Sequence, residues 1–169
     1  MNSFMELAKA RFSVRKYADT PIEEEKLSRI LEAGRIAPTA KNSQAFKVYV
    51  CQSEEALAKI DEISPCRYGA PTVLLFVYDK ENCFAYEDRN SGDQDCAIVA
   101  THIVLQAAEE GVRSVWVDRF SPSGAKKVFA LPEQEQPVFL VPLGYAAEGE
   151  VPAPRHEQKR PAQELFFRI

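Results

Sequence analysis

Residues 95–110 leave this chain few ways to fold. Ile98, Val99, Ala100, Ile103, Val104, Leu105, Ala107 and Ala108 put apolar side chains nearly all round a helix of that length, and Gly111 follows where a helix C-terminus takes a left-handed residue. A helix with no wet face has to be enclosed, so the other elements are expected to wrap it. His102, in the same stretch, reads as a core histidine with its ring nitrogens satisfied. At 169 residues the chain is long enough for one such core and too short for two comfortable ones.

The wrapping elements follow in order. Residues 3–10 read as a short helix with Phe4, Leu7 and Ala8 on one face, and Arg11 opens a turn. Thr20, Pro21 and Glu23 supply an N-cap, a first-turn proline and an N3 carboxylate, which predicts a helix to about Ala37 burying Leu27, Ile30, Leu31 and Gly34. Pro38 ends it, and the polar run from Thr39 to Gln44 is a loop feeding an alternating strand at 46–50. A helix is expected over 54–63. Residues 72–78 are apolar without alternation, as in a strand covered on both faces. Strands at 114–117 and 138–141 flank a short helix at 123–129. Beyond Tyr145, Pro152, Pro154 and Pro161 predict an extended tail whose end, Leu165-Phe166-Phe167-Arg168-Ile169, needs somewhere to dock.

Composition narrows the function. Lys and Arg number 21 against 25 Asp and Glu, and a net charge of −4 argues against a nucleic acid or an anionic membrane as partner. No apolar run approaches membrane-spanning length, and the N-terminus reaches charge within six residues without a signal-like apolar region, so a cytoplasmic protein is expected. Cys51, Cys66, Cys83 and Cys96 are scattered, with His102 and His156 outside metal-ligand spacing; free thiols and no metal site are expected.

Four clusters have the chemistry for a site, and each also has a structural reading. Arg11, Ser13 and Arg15 offer charge-assisted donors suited to a phosphate, or else a solvated charge run. Asn42 and Gln44 could read a heterocycle edge bearing donors and acceptors, or simply bond their own loop. Trp116-Val117-Asp118-Arg119 lies at a strand exit where ligands gather, although Trp116 also suits core packing. Cys66 has Arg67 beside it to polarise the thiol, or is an incidental buried cysteine. Asp93 with Asp95 reads as an N-cap pair. No dinucleotide, P-loop, nucleophile-elbow or zinc-protease motif is present.

In order and spacing these pieces resemble the nitroreductase family of flavoproteins. Arg11-Phe12-Ser13-Val14-Arg15-Lys16-Tyr17 is similar to its phosphate-binding turn, and Thr20-Pro21-Ile22 to the opening of its second helix. Pro38-Thr39-Ala40-Lys41-Asn42-Ser43-Gln44-Ala45-Phe46 resembles its flavin-ring loop. The helix ending Leu105-Gln106-Ala107-Ala108 resembles its central dimer helix, Pro142-Leu143-Gly144-Tyr145 its last core strand, and Lys159-Arg160-Pro161 with Glu164-Leu165 its closing segment.

The resemblance implies an α+β fold: a central mixed sheet flanked by helices, in an intertwined homodimer that exchanges C-terminal tails. Residues 1–145 would form the flavin-binding core and 146–169 the tail packed on the partner subunit. FMN would be the cofactor and NADH or NADPH the transient donor, in ping-pong transfer to a nitroaromatic, quinone or similar small-molecule acceptor. Arg11, Phe12, Ser13 and Arg15, completed by Lys159 or Arg160, would hold the phosphate and ribityl chain. Pro38, Thr39, Ala40, Asn42 and Gln44 would meet the ring edge and ribityl hydroxyls, and Trp116, Val117, Asp118 and Arg119 would flank the ring, with backbone amides at Asp118 and Arg119 facing its N5. No side chain is assigned a catalytic role. Three features depart from the family: Ala45-Phe46 replaces the usual Pro-Trp, Arg119 stands where larger relatives often have glycine, and much of the channel-lining insertion is missing. An FMN-storing or FMN-sensing protein with little turnover, or a specialised flavin enzyme of the same superfamily, stays open as an alternative.

Overall fold

The computed structural model describes residues 3–169; residues 1 and 2, part of the opening read above for a signal, lie outside the described residues. The elements in chain order are α1 (Phe4–Ala10), α2 (Glu24–Arg35), β1 (Phe46–Cys51), α3 (Glu54–Ile63), β2 (Thr72–Asp79), β3 (Ala85–Tyr86), β4 (Arg89–Asn90), α4 (Gly92–Glu109), β5 (Arg113–Ser114), α5 (Pro122–Val128) and β6 (Glu135–Gly144). Single 3₁₀ turns at Pro154–His156 and Ala162–Glu164 interrupt the extended tail.

β2 sits inside the sheet, whose order is β1-β2-β6-β5. Its side chains serve two cores. Leu74, Phe76 and Tyr78 meet α2 and α4 on one face, while Val73, Leu75 and Val77 meet the α3 and α5 side on the other. That is why the strand is an unbroken apolar run. Each side chain so enclosed contributes about 1.5–3 kcal/mol, and Phe76 and Phe139 add a tilted ring pair 4.8 Å apart. The strand ladders are antiparallel, and the parallel component is a single bridge from Ser13 to Ser114.

Several boundaries differ from expectation for identifiable reasons. α2 begins at Glu24 rather than after Thr20, because Ile22 is buried and the preceding backbone is held extended by Ala18 N–H donating to Tyr145 O at 2.9 Å. Leu31 is only half-buried. The strand expected at 114–117 stops at Ser114 and touches β6 again only at Val117, since Pro142 accepts from Val115 N but has no N–H to return. α1 carries a capping box between Ser3 and Glu6, yet none of its residues is buried.

α4 starts at Gly92, with Ser91 as its N-cap rather than Asp93 or Asp95. Nor is it enclosed all round: Ile98 and Thr101 are exposed and Leu105 and Ala108 are half-buried, forming one stripe. His102 is half-buried rather than a core residue, its Nδ1 lying 2.8 Å from Ile98 O within the helix. Among the described residues, no helix is long and apolar enough to cross a membrane.

Candidate functional site

Residues 11–15 are extended, so their side chains alternate. Phe12 and Val14 point into the core beneath β5, leaving Arg11, Ser13 and Arg15 on the opposite side. The turn is pinned by Val14 N–H donating to Ser114 O at 3.1 Å, and by Arg113, which lies 4.8 Å over the Phe12 ring and donates to Ala10 O.

Three neighbouring cavities share these residues. Arg11 lines one of about 320 Å³ with Thr101, Val104, Leu105, Ser114 and Trp116. It also lines one of about 590 Å³ with Lys9, His156, Lys159 and one carboxylate, Glu157. His156 in turn borders a hollow of about 210 Å³ with Phe12, Ser13, Arg15 and Arg155. The result is a groove running from an aromatic and aliphatic end at Trp116, past hydroxyls, to a cationic end. Among the described residues the side-chain cations of Arg11, Arg15, Arg155 and Lys159 form no ion pair within 4 Å, although Glu150 Oε1 accepts from Arg15 N at 2.9 Å. Lys159 donates to His156 O, whereas Arg160 turns to Glu164 at 3.2 Å.

At the Trp116 end, the indole stacks on Phe139 with centroids 4.0 Å apart, and its Nε1 donates to Asp118 Oδ1 at 3.2 Å. Trp116 is only half-buried, so its position serves both core and cavity. Val117 is buried and exchanges two 2.9 Å backbone bonds with Leu140. Asp118 and Arg119 are exposed, and their amides have no acceptor among the described residues. Arg119 O accepts from Ser64 Oγ at 2.7 Å, which fixes this backbone to the end of α3.

The loop after Pro38 is unusual. Lys41, Asn42 and Gln44 all have positive φ, at 51°, 53° and 49°, and for side chains beyond glycine that conformation is sparsely populated and found where structure is held for a purpose. The clamp is Asp95, a buried carboxylate that accepts from Ala40 N at 2.9 Å and from Ser91 Oγ at 2.7 Å. Thr39 Oγ1 accepts from Gln44 N at 3.1 Å. Ser43 Oγ is buried without a partner, and the side chains of Asn42 and Gln44 are exposed.

The two halves are separated along α4. The loop is tied to Asp95 and the Arg11 groove lies against Thr101 to Leu105; six to ten residues of helix put them about 9–15 Å apart along the axis. Thus Arg11, Ser13, Arg15, Trp116 and Lys159 share one groove, while Pro38, Thr39, Ala40, Asn42 and Gln44 stand at the far end of the helix. Asp95, Ser114, Arg155 and His156 were not singled out from sequence as site residues. A carboxylate one turn into an apolar helix was the available signal for Asp95; Arg155 and His156 sit in a proline-rich run that reads only as tail.

The cysteines are free. Burial pushes the Cys51 thiol up to about 11 and Cys96 to about 12, and Arg67 bonds Asp61 twice at 2.7 Å instead of polarising Cys66. Among the described residues, no group of three or more His, Cys, Asp or Glu is placed to hold a metal.

A model of the nitroreductase family matches residues 8–67 and 66–145. A Methanothermobacter thermautotrophicus protein described as an NADH dehydrogenase/NAD(P)H nitroreductase is 33% identical, over 85% of this chain and 78% of its own length. Staphylococcus aureus proteins described as NADPH-dependent oxidoreductases are 27% identical over 85% of this chain, which spans 65% of their length. A crystal structure of a nitroreductase family protein from Clostridium difficile 630 superposes with a TM-score of 0.92 at 36% identity, covering 99% of this chain and 98% of the other. At 19% identity the fold is shared with an Exiguobacterium sibiricum protein described as a nitroreductase in complex with FMN, with a TM-score of 0.86 and coverage of 100% and 98%.

Proposed function

Because the chain belongs to the nitroreductase family, we propose that it is an FMN-dependent oxidoreductase passing electrons from NADH or NADPH to a nitroaromatic, quinone or similar acceptor. The observation that carries this is the graded groove: an aromatic and aliphatic end at Trp116, hydroxyls of Ser114 and Thr101, and unneutralised cations at the other end. A flavin mononucleotide has the same order of parts, a flat ring, a polyol and a phosphate. The bound flavin supplies the two-electron chemistry.

The chain's residues then divide the work. Arg11, Ser13 and Arg15 hold the phosphate over the buried Phe12, with Lys159 completing the clamp in preference to the paired Arg160, and Arg155 and His156 extending it. Trp116 and Val117 shape the ring pocket, while the unpaired amides of Asp118 and Arg119 donate toward the ring's N5 edge. Asn42 and Gln44, with the Pro38-Thr39-Ala40 backbone and the orphaned Ser43 hydroxyl, meet the ring edge and ribityl hydroxyls.

For that division the two ends of α4 must meet, and a second copy running the other way does this. It brings the 38–44 loop of one subunit to the Arg11 groove of the other. Such a homodimer also covers the Ile98–Thr101–Leu105 stripe and exposed Phe4 and Met5. The exchanged tail has a seat: β1 is an edge strand, with an apolar hollow of about 400 Å³ between it and α2 that suits Leu165, Phe166 and Phe167. Four free thiols fit a reducing cytoplasm.

Heat-released cofactor, identified by mass spectrometry, is expected to be FMN, and anaerobic NADH or NADPH should bleach the holoprotein's visible absorbance. Release of FAD, or absence of flavin, overturns the assignment.

A further inference from the structure

At the N-terminal end of α4, away from the Arg11 groove, a cavity of about 200 Å³ opens between the β3–β4 hairpin and the flavin-ring loop. It is lined by Ala40, Phe84, Tyr86, Arg89, Asn90 and Gln94. Tyr86 and Arg89 pair directly across the two-stranded ladder, so ring and guanidinium stand side by side on one face of the hairpin. Among the described residues Arg89 has no carboxylate within 4 Å, the turn residues Glu87 and Asp88 included.

The hairpin is fastened to its surroundings at the base. Ser91 N–H donates to Phe84 O at 2.8 Å, Gly92 N–H donates to Asn90 Oδ1 at 2.9 Å, and the Lys41 ammonium lies 4.6 Å over the Phe84 ring. Ala40, in turn, is held by Asp95. Whatever enters this cavity therefore rests against the strained 38–44 loop. A cavity of about 150 Å³ takes one benzene ring, so this one has room for a single substituted ring and no fused system.

We propose that the hairpin pocket selects a monocyclic aromatic carboxylate as electron acceptor, with the carboxylate on Arg89 and the ring against Tyr86 and Phe84. This rests on the oxidoreductase reading above. It adds a substrate class recognised through the Arg89 guanidinium and two aromatic rings, with the Lys41 ammonium over the Phe84 ring as a second nearby cation. For 4-nitrobenzoate the balanced step consumes one NAD(P)H and one proton, giving the nitroso compound, NAD(P)⁺ and water.

Two measurements on the holoprotein test it. By calorimetry, benzoate should bind more tightly than the neutral benzamide, and Arg89→Gln should lower benzoate affinity about five-fold, the upper range for one exposed ionic contact. In steady state, Arg89→Gln should raise the ratio of KM for 4-nitrobenzoate to KM for nitrobenzene by a similar factor, Arg89→Lys should restore much of it, and Tyr86→Ala should weaken both compounds. Equal affinity for benzoate and benzamide, or an unchanged KM ratio in Arg89→Gln, overturns the proposal. If benzoate discrimination depends on Arg89 while no acceptor is reduced, the pocket stands and the oxidoreductase reading falls.

Discussion

Single residues in this chain take sides because of backbone geometry. Arg15 faces the cationic end of the groove only because residues 11–15 are extended and Phe12 and Val14 claim the interior. Among the described residues its guanidinium joins no ion pair, and Glu150 bonds the backbone N–H that any side chain at this position would keep, so Arg15→Ala should leave folding nearly intact and weaken FMN binding about ten- to a hundred-fold, the worth of one charge-assisted phosphate contact. Titrating apoprotein with FMN checks this, and equal dissociation constants for mutant and parent would remove Arg15 from the site. The grouping of two guanidiniums and a hydroxyl in these five residues was legible in the sequence, whereas the extended backbone that sorts them from Phe12 and Val14 was read there only as a turn. The contribution of Arg155 and His156 was not, because their placement depends on where the tail folds back, with His156 Nε2 3.0 Å from Lys9 O. Nothing within a few residues of them encodes that return.

Elements with strong local signals came out close to expectation. α3 spans 54–63 as read, with Ser53 Oγ capping Ala56 N at 3.2 Å, and α5 shifts by one residue at each end. Elements whose ends depend on distant partners did not: α2 waits for Ile22 and Tyr145, and β5 is cut short by Pro142. The start of α4 is of the second kind. A Cβ on Gly92 would lie 2.3 Å from the Tyr78 ring, an aromatic fixed in the core, whereas one on Gly34 meets the flexible end of Ile103 at 2.7 Å. Gly92→Ala should accordingly cost about 1–3 kcal/mol of stability, read as a lower urea midpoint at unchanged slope. It should also loosen flavin, since Ser91 and Asp95 beside it hold the 38–44 loop. Unchanged stability would mean that the Tyr78 ring gives way freely.

At the scale of the molecule, most exposed large apolar side chains among the described residues lie near the two ends of the chain, with Ile98 on the α4 stripe and Ile36, Val50, Tyr86 and Val151 standing apart. Phe166 and Phe167 are each 76% exposed and Phe4 is 68% exposed, more apolar surface than a lone subunit keeps in water. The protein should therefore scatter light as a dimer, and ending the chain after Tyr145 should weaken both dimer and flavin affinity. A truncated chain that stays dimeric and fully loaded contradicts the tail exchange. Read from its residues alone the sequence carried this scale as apolar side chains with no stated neighbour, and the partner subunit came only from the family resemblance, because nothing local encodes what a distant apolar segment packs against. In the proposed dimer, the separation of the 38–44 loop from the Arg11 groove along α4 would tie flavin binding to mass action. If neither subunit holds a complete pocket, diluting the protein below its dimer dissociation constant should extinguish both sites together, with activity per chain falling as protein concentration falls and returning on reconcentration.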